Sequence, residues 1–385
     1  ASLTLIGITG TNGKTTTTGI VRHLLNRSLD TASMGTLGCF DGAGEPVAST
    51  AGSLTTPGPL DLMATFAALR DRGVRRVAME ASSHSLDQGR LDGLSFEAAV
   101  FTNLTRDHLD YHATMEAYHA AKLRLVDLVA PHGLLVINAD DPAWASVPRS
   151  PRSISFGQAA HADLRAVDAE RDASGSRFRL EGRWGTREAA IPLPGDFNIA
   201  NGLAAAATAL GLGVGLDEVV ARLSEAPQVP GRMERLAGGA FTVLRDYAHT
   251  PDALARALAA LRALTRGRLI VLFGCGGDRD RGKRPLMARA AAAGADFTFV
   301  TSDNPRTEDP EQILDDIQTG LPPGTPHLRM TDRRIAIAAA LAEAKPGDTV
   351  LLAGKGHETY QVIGTETRPF DERAIVRELL GARTP

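Results

Sequence analysis

The run Leu5-Ile6-Gly7-Ile8-Thr9-Gly10-Thr11-Asn12-Gly13-Lys14-Thr15-Thr16 narrows the choice of fold more than any other stretch of this chain. An apolar strand leads into a turn with two glycines, and a lysine and hydroxyl residues open a helix. Glycines let the backbone curl until its N–H groups and the helix N-terminus face an anion, Lys14 adds charge, and the Thr15 hydroxyl can ligate magnesium. Residues Gly10, Thr11, Asn12, Gly13, Lys14, Thr15 and Thr16 are therefore expected to hold the phosphates of a nucleotide. Ile8 stands where the strict pattern has a glycine, with Gly10 closer in, and the bland alternative is a Gly-rich turn and nothing more.

A loop of this kind needs a strand whose carboxyl end meets a helix, and the rest of the chain alternates short apolar runs with amphipathic ones, the pattern of an α/β fold with a mainly parallel sheet. Strands are expected at Leu3–Thr9, Val74–Ala81, Ala98–Leu104 and Leu134–Asn138, with helices starting near Gly13, Pro59 and Thr114. Between Ser153 and Pro194 the residues alternate polar and apolar around turns such as Ser174-Gly175-Ser176, which reads as an antiparallel β insertion. An Ala-rich helix follows Gly195 to Leu210 and another runs from about Leu216 to Ser224. Pro227, Pro230 and Gly231 then break the pattern, placing a boundary near 233 between a phosphate-loop domain, residues 1–233, and a Rossmann-like α/β domain, residues 234–385. The second domain is expected to carry strands Thr242–Asp246, Leu269–Phe273, Phe297–Thr301 and Thr349–Ala353, separated by helices such as Ala253–Leu264 and Arg333–Ala344.

A net charge of -3 offers no electrostatic reason for nucleic acid or an anionic membrane as the main partner, so any phosphate binding must be local. The first nine residues are β-rich, unlike a signal peptide, and no apolar stretch approaches the roughly 20 residues of a membrane helix. Cys39 and Cys275 lie far apart in no metal-ligand spacing, which fits free thiols in a reducing cytosol. A soluble, cytoplasmic monomer is expected.

Phosphate chemistry needs magnesium, and magnesium needs oxygen ligands besides Thr15. Glu80 ends an apolar strand, where a carboxylate faces the crevice in which open α/β sheets bind ligands, and Ser82-Ser83-His84 follow it where an ordinary strand would simply turn. Past another strand, Thr102-Asn103-Leu104-Thr105-Arg106-Asp107-His108-Leu109-Asp110-Tyr111-His112 sets out histidines and aspartates whose spacing alone does not separate a metal or phosphate role from structural hydrogen bonding. Lys122 lies on the next helix, by default a solvated surface charge.

These stretches, with Gly195–Asn201, resemble the Mur ligase family, enzymes that use ATP to join amino acids to the cell-wall precursor. Gly274-Cys275-Gly276-Gly277-Asp278-Arg279-Asp280, Asp303-Asn304-Pro305-Arg306 and Gly354-Lys355-Gly356-His357-Glu358 are similar to the members that add diaminopimelate, and the resemblance covers nearly the whole chain. It implies that Thr15 and Glu80 bind Mg2+, with His108 at a second metal site beside a carbamylated Lys122. It implies that Thr55, Thr56, Ser82, Gln88 and Arg90 meet the muramoyl-peptide substrate. Without the other motifs, Thr55-Thr56-Pro57-Gly58 would read as a turn with a helix cap. Asn198, Asn201, Asp246 and His249 match nucleotide-contacting positions, and Arg232 an arginine that reaches the terminal phosphate on domain closure. Arg279, Asp303, Asn304, Pro305, Arg306, Gly354 and Glu358 match the meso-diaminopimelate site, the arginines suiting its carboxylates and Glu358 its distal ammonium; members that take lysine differ at Arg306. Arg279 and Asp280 alone would pass for a surface salt-bridge cluster.

The implied reaction phosphorylates the terminal carboxylate of UDP-N-acetylmuramoyl-L-Ala-D-Glu with ATP, and the free amine of diaminopimelate displaces phosphate to leave an amide. Family members carry an additional N-terminal uridine-binding domain, and this sequence starts where their central domain starts; loss of that anchor would raise the substrate's KM. Two alternatives remain open: another amide ligase of the superfamily, such as a folylpolyglutamate synthase, or a non-catalytic ATP-binding module.

Overall fold

The computed structural model describes residues 3–47, 54–172 and 175–381. Two compact units divide after Pro227. The division falls directly after the first of the breaks, Pro227, a few residues ahead of the expected 233, and residues 231–233 bond onward in the chain. Gly231 donates its N–H to Glu234 and accepts from Tyr247 N–H, and Met233 N–H donates to the Asp246 carboxylate.

In the first unit the chain runs β1 (Thr4–Thr9), α1 (Lys14–Leu25), β2 (Thr31–Gly35), β3 (Gly38–Phe40), α2 (Pro59–Asp71), β4 (Arg76–Glu80), α3 (Ser83–Asp87) and β5 (Phe96–Phe101). It continues through α4 (Leu109–His112), α5 (Met115–Asp127), β6 (Val129–Asn138), β7 (Ser153–Gly157), β8 (Leu164–Asp172), β9 (Gly175–Gly182), β10 (Gly185–Ile191), α6 (Asp196–Gly211) and α7 (Leu216–Leu223). All ten strands join one sheet, ordered β10-β9-β8-β7-β6-β5-β1-β4-β2-β3. The segment expected to be an antiparallel insertion is a continuation of that sheet. β7 pairs parallel with β6 and β8, and within this segment the antiparallel pairs are β8–β9 and β9–β10. Alternating polarity reports which face is buried and is blind to strand direction. Ser174, in the turn expected there, lies outside the described residues.

The alanine bias of α6 has a packing reason. Ala204, Ala205, Ala206, Ala207 and Ala209 are all fully buried in a core shared with α1 and the sheet, and small side chains let a helix buried on every side approach its neighbours closely.

The second unit runs β11 (Glu234–Ala237), β12 (Thr242–Asp246), α8 (Pro251–Leu264), β13 (Leu269–Phe273), α9 (Lys283–Gly294), β14 (Phe297–Val300) and α10 (Pro310–Gln318). It ends with β15 (His327–Arg329), α11 (Arg333–Glu343), β16 (Thr349–Ala353), β17 (Tyr360–Ile363), β18 (Glu366–Pro369) and α12 (Glu372–Leu379). Its six-stranded sheet, β11-β12-β16-β13-β14-β15, is parallel apart from edge strand β11. Leu254, Leu258, Met287 and Ile313 from α8, α9 and α10 pack one face, and Ala336, Ile337, Ile375 and Val376 from α11 and α12 the other. The central strands, covered on both faces, read as unbroken apolar runs, which is why the sequence reveals them while missing edge strands β11 and β15.

Candidate active site

Strands β4, β1 and β5 are adjacent and parallel, so their carboxyl ends deliver three segments to one edge of the first unit's sheet. The middle segment is the phosphate loop. Gly13 adopts a left-handed conformation (φ 82°) as the N-cap of α1, and a Cβ there would collide with the Asn201 amide; one on Gly10 would strike the Thr102 hydroxyl. The loop is clamped by the segment after β5. Thr11 N–H donates to Asn103 O (2.7 Å), Asn12 N–H to Asn103 Oδ1 (2.9 Å), and the Thr102 hydroxyl to Asn12 O (2.7 Å). The Tyr118 hydroxyl reaches Thr11 Oγ1 at 3.2 Å.

Two lysines meet on one carbonyl of this loop: Gly10 O accepts from Lys14 Nζ at 3.0 Å and from Lys122 Nζ at 2.8 Å. Lys122 is only 1% exposed, overturning its default reading as a surface charge, because α5 turns it inward over the Tyr118 ring, 4.3 Å from Nζ to the ring centroid. Burial first, and then the charge of Lys14, push its amine well below the usual lysine range. His108, left-handed at φ 52° ahead of α4, has its imidazole lowered by burial, with Asp107 opposing that shift and Lys14 and Lys122 adding to it. The rings of His84 and His108 lie edge to face at 4.8 Å.

Glu80 is 1% exposed, and its oxygens accept from the backbone N–H and the hydroxyl of Thr36, at 2.8 and 3.2 Å. Among the described residues no lysine, arginine or histidine pairs with it. A buried carboxylate without a cation is costly. It suits a divalent metal, although no cluster of three His, Cys, Asp or Glu side chains forms among the described residues. Around Glu80 the residues expected to meet substrate form one hydrogen-bonded group. The Thr55 hydroxyl lies 3.3 Å from that of Thr36, Thr56 Oγ1 donates to Glu80 O (2.9 Å) and approaches Ser82 Oγ (3.3 Å), and Arg90 bonds Thr56 O (2.9 Å) and Gln88 Oε1 (2.8 Å from Nε). Thr36, just past β2, carries no distinctive sequence pattern, and nothing in sequence spacing brings it to Glu80. Asn198 and Asn201 are buried and bond inward, Asn201 bridging Asn198 Oδ1 and the Thr17 hydroxyl and so bracing the loop against α6.

In the second unit, Asp246 ends β12, its carboxyl raised by burial against the opposing pull of Arg232, and Met233 N–H donates to it at 2.7 Å. The Arg232 guanidinium lies 4.8 Å from the Tyr247 ring centroid, and the His249 and His357 rings pack on the same tyrosine. His249 Nδ1 sits 2.8 Å from Tyr247 O. Beyond β14 and β16 two loops interlock. Asn304 donates to Glu358 Oε2 (2.9 Å) and accepts from Lys355 Nζ (3.1 Å). Lys355, fully buried, also lies 3.3 Å from Glu358 and 3.5 Å from Asp303. Lys355 is the cation that balances this acidic pair, a part that the sequence alone does not indicate. Gly354 is left-handed at φ 109°, and a Cβ there would press on the Asp303 carboxylate.

The Arg306 and Asp278 backbones are also left-handed (φ 51° and 53°), a strained geometry for non-glycine residues that is held where Arg306 Nη1 donates to Gly277 O (2.8 Å) and Thr307 bonds Asp278. Pro305 is buried in this turn, while Arg279 is exposed and donates to Asp278 O. Glu308 locks the turn by accepting from Asp278 N–H and from the buried Arg284, and the Arg284 bond leads in holding its carboxyl down at about 2. A lowered carboxyl stabilises the fold above its unfolded value near 4.5 and loses that contribution as pH falls toward 2. Glu308→Gln is therefore expected to melt about 4 °C below the parent at pH 7, with the gap closing in acid across that window, as followed by thermal denaturation.

The match to known proteins is extensive. The Mur ligase middle domain matches residues 8–209, and the Mur ligase glutamate ligase domain residues 231–356. A protein of Synechococcus elongatus named UDP-N-acetylmuramoyl-L-alanyl-D-glutamate–2,6-diaminopimelate ligase is 47% identical over 99% of this chain and 77% of its own length. A protein of Geobacillus kaustophilus with the same name is 44% identical over 99% of this chain and 79% of its own length. A solved structure of a ligase of that name superposes with a TM-score of 0.70 at 38% identity, covering 99% of this chain and 79% of the other. A Mycobacterium tuberculosis folylpolyglutamate synthase, solved with ADP and AMPPCP, superposes at 0.73 over 100% and 92% of the two chains but is 19% identical, a likeness of fold alone. No helix among the described residues is long and apolar enough to cross a membrane.

Proposed function

Since the chain belongs to the Mur ligase family, we propose that it uses ATP to join meso-diaminopimelate to UDP-N-acetylmuramoyl-L-Ala-D-Glu in the synthesis of peptidoglycan precursor. One observation carries the reading above the others: three adjacent parallel strands end in the phosphate loop, in Glu80 and in the clamp at 102–105, with two lysines drawn onto the loop. The N–H groups of Gly13 to Thr16, at the start of α1, face the nucleotide phosphates, while those of Thr11 and Asn12 hold the loop to Asn103, and Lys14 swings from the loop carbonyls to the transferring group. Glu80 and the Thr15 hydroxyl would hold Mg2+, with His108 and Lys122 at a second metal position, and ions bound there would offset charge on the phosphates. An amine adds CO2 in its neutral form, gaining an N–C bond and releasing a proton to become a carboxylate-like carbamate, and the burial that lowers the Lys122 amine favours that form. Thr55, Thr56, Ser82, Gln88 and Arg90 orient the muramoyl dipeptide whose carboxylate takes the phosphoryl group.

In the second unit Asp246, His249 and Arg232 serve the nucleotide, with Arg232 toward the terminal phosphate. Arg279 and Arg306 hold the diaminopimelate carboxylates, and Asn304 and Glu358 its distal ammonium, shaped by Asp303, Pro305 and Gly354. Replacing Arg306 removes charge-assisted bonds worth about 1.5–3 kcal/mol, a factor of roughly 10–100. ADP release should depend on diaminopimelate and not on L-lysine, L-ornithine or the absence of an amine. Arg306→Ala should lower kcat/KM for diaminopimelate by about 10–100-fold with little change for lysine. Equal turnover with all amines would defeat the assignment of the amino acid, and no ADP release with any of them would defeat the ligase reading itself.

A further inference from the structure

Helix α11 opens with a charge that its own stability does not explain. Arg333 is its first residue, where a cation opposes the positive end of the helix dipole, and Asp332 already caps that end by accepting from Arg334 and Ile335 N–H groups. The guanidinium is nevertheless wholly buried, which demands acceptors for its N–H groups. Nε donates to Glu372 Oε1 at 2.8 Å, Nη1 to Ser302 O at 3.3 Å and Nη2 to Ala353 O at 2.9 Å. Glu372 is the first residue of α12 and equally buried, so the countercharge comes from the last helix of the chain.

The two carbonyls are not arbitrary acceptors. Ser302 immediately precedes Asp303 and Ala353 immediately precedes Gly354, so they are the last backbone points before the two interlocked loops. The strands that feed those loops, β14 and β16, are separated by β13, and no ladder of backbone hydrogen bonds runs directly between them. A planar guanidinium with diverging donors can set that spacing where a ladder cannot. On the far side, among the described residues, the loops are joined by side chains, Asn304 to Glu358, Lys355 to Asn304 and Asp303, and Gln361 to Asp303 O, and by a short backbone bridge in which Arg306 N–H donates to Val362 O and Gly364 N–H to Arg306 O.

We propose that Arg333 is a positioning residue for the incoming amino acid, fixing the separation of the loops that carry Asn304, Arg306 and Glu358, with Glu372 holding its charge. This rests on the reading that those side chains bind diaminopimelate. The double variant Arg333→Met/Glu372→Met removes both buried charges together, leaving neither uncompensated, and its melting curve reports whether it folds. Arg333→Lys keeps the charge but cannot span three acceptors. Both variants are expected to exchange amide hydrogens faster in segments 303–306 and 354–362. Both should raise KM for diaminopimelate at least about 10-fold, with KM for ATP held within about twofold and kcat falling by less than KM rises. Parent-like exchange and parent-like KM for diaminopimelate in a folded variant would overturn the proposal. Should the parent chain show no diaminopimelate-dependent turnover, the functional reading fails separately, and the exchange rates, which need no substrate, decide whether Arg333 sets the loops.

Discussion

Lys122→Met is expected to lose about 10²–10³ in kcat while melting at or above the parent temperature. The two halves have different origins. Turnover should fall because, on the proposed function, the amine that would become the carbamate is gone, and with it a ligand for the second metal position. Stability does not fall with it, because the Gly10 carbonyl keeps its bond from Lys14 and the methionine leaves no charge to desolvate. The pH dependence carries the sign. The folded amine lies well below 10.5 while the unfolded one titrates near that value, so between the two the unfolded chain binds the extra proton and the parent gains stability as pH rises. The variant should lack that alkaline slope in metal-free, bicarbonate-free buffer. Intact-mass measurement of the parent in bicarbonate should show the added mass of one CO2, absent from the variant. A variant that retains full turnover would remove Lys122 from the chemistry.

Lys14→Met should cost still more, about 10³ or beyond in kcat/KM for ATP, because a charge that follows the transferring phosphoryl group contributes most in the transition state. In the structure the ammonium bonds Gly10 O at 3.0 Å and Thr11 O at 2.7 Å, on the carbonyls of its own loop. From that position a short swing of a flexible side chain carries it toward phosphates held by the loop's N–H groups. The loop itself is braced by Asn103, Thr102, Tyr118 and Asn201, so its shape should survive the substitution. Nucleotide titration should then show ADP binding weakened far less than turnover. Turnover within about tenfold of the parent would mean that the loop binds nucleotide without this lysine taking part in transfer.

Local chemistry was the legible part of this protein. The phosphate loop could be read because two glycines, a lysine and a following helix are contiguous, and left-handed Gly13 bears out the reason glycine stands there. The central parallel strands could be read because burial on both faces leaves an unbroken apolar run. Thr349–Ala353 and Leu269–Phe273 match the observed elements to the residue. The polar clusters after β4 and β5 stood out because hydroxyls, histidines and carboxylates directly follow apolar strands.

Pairings between distant segments were beyond that reach. Spacing along the chain cannot show that Thr36 answers Glu80, that Lys122 turns inward to Gly10, or that Lys355 balances Asp303 and Glu358, because those contacts depend on which strands become neighbours. Strand direction in β7 and β8 was hidden for a related reason: side-chain alternation has the same period whichever way the partner runs. The sequence by itself determined the phosphate loop and the polar clusters that follow β4 and β5, since these rest on side-chain chemistry and short-range backbone constraint, while the metal and amino-acid roles came only as implications of the family resemblance. Tertiary structure alone decided the charge state and the partners of these residues, because desolvation and electrostatic pairing act over a few ångströms in space and are indifferent to separation along the chain.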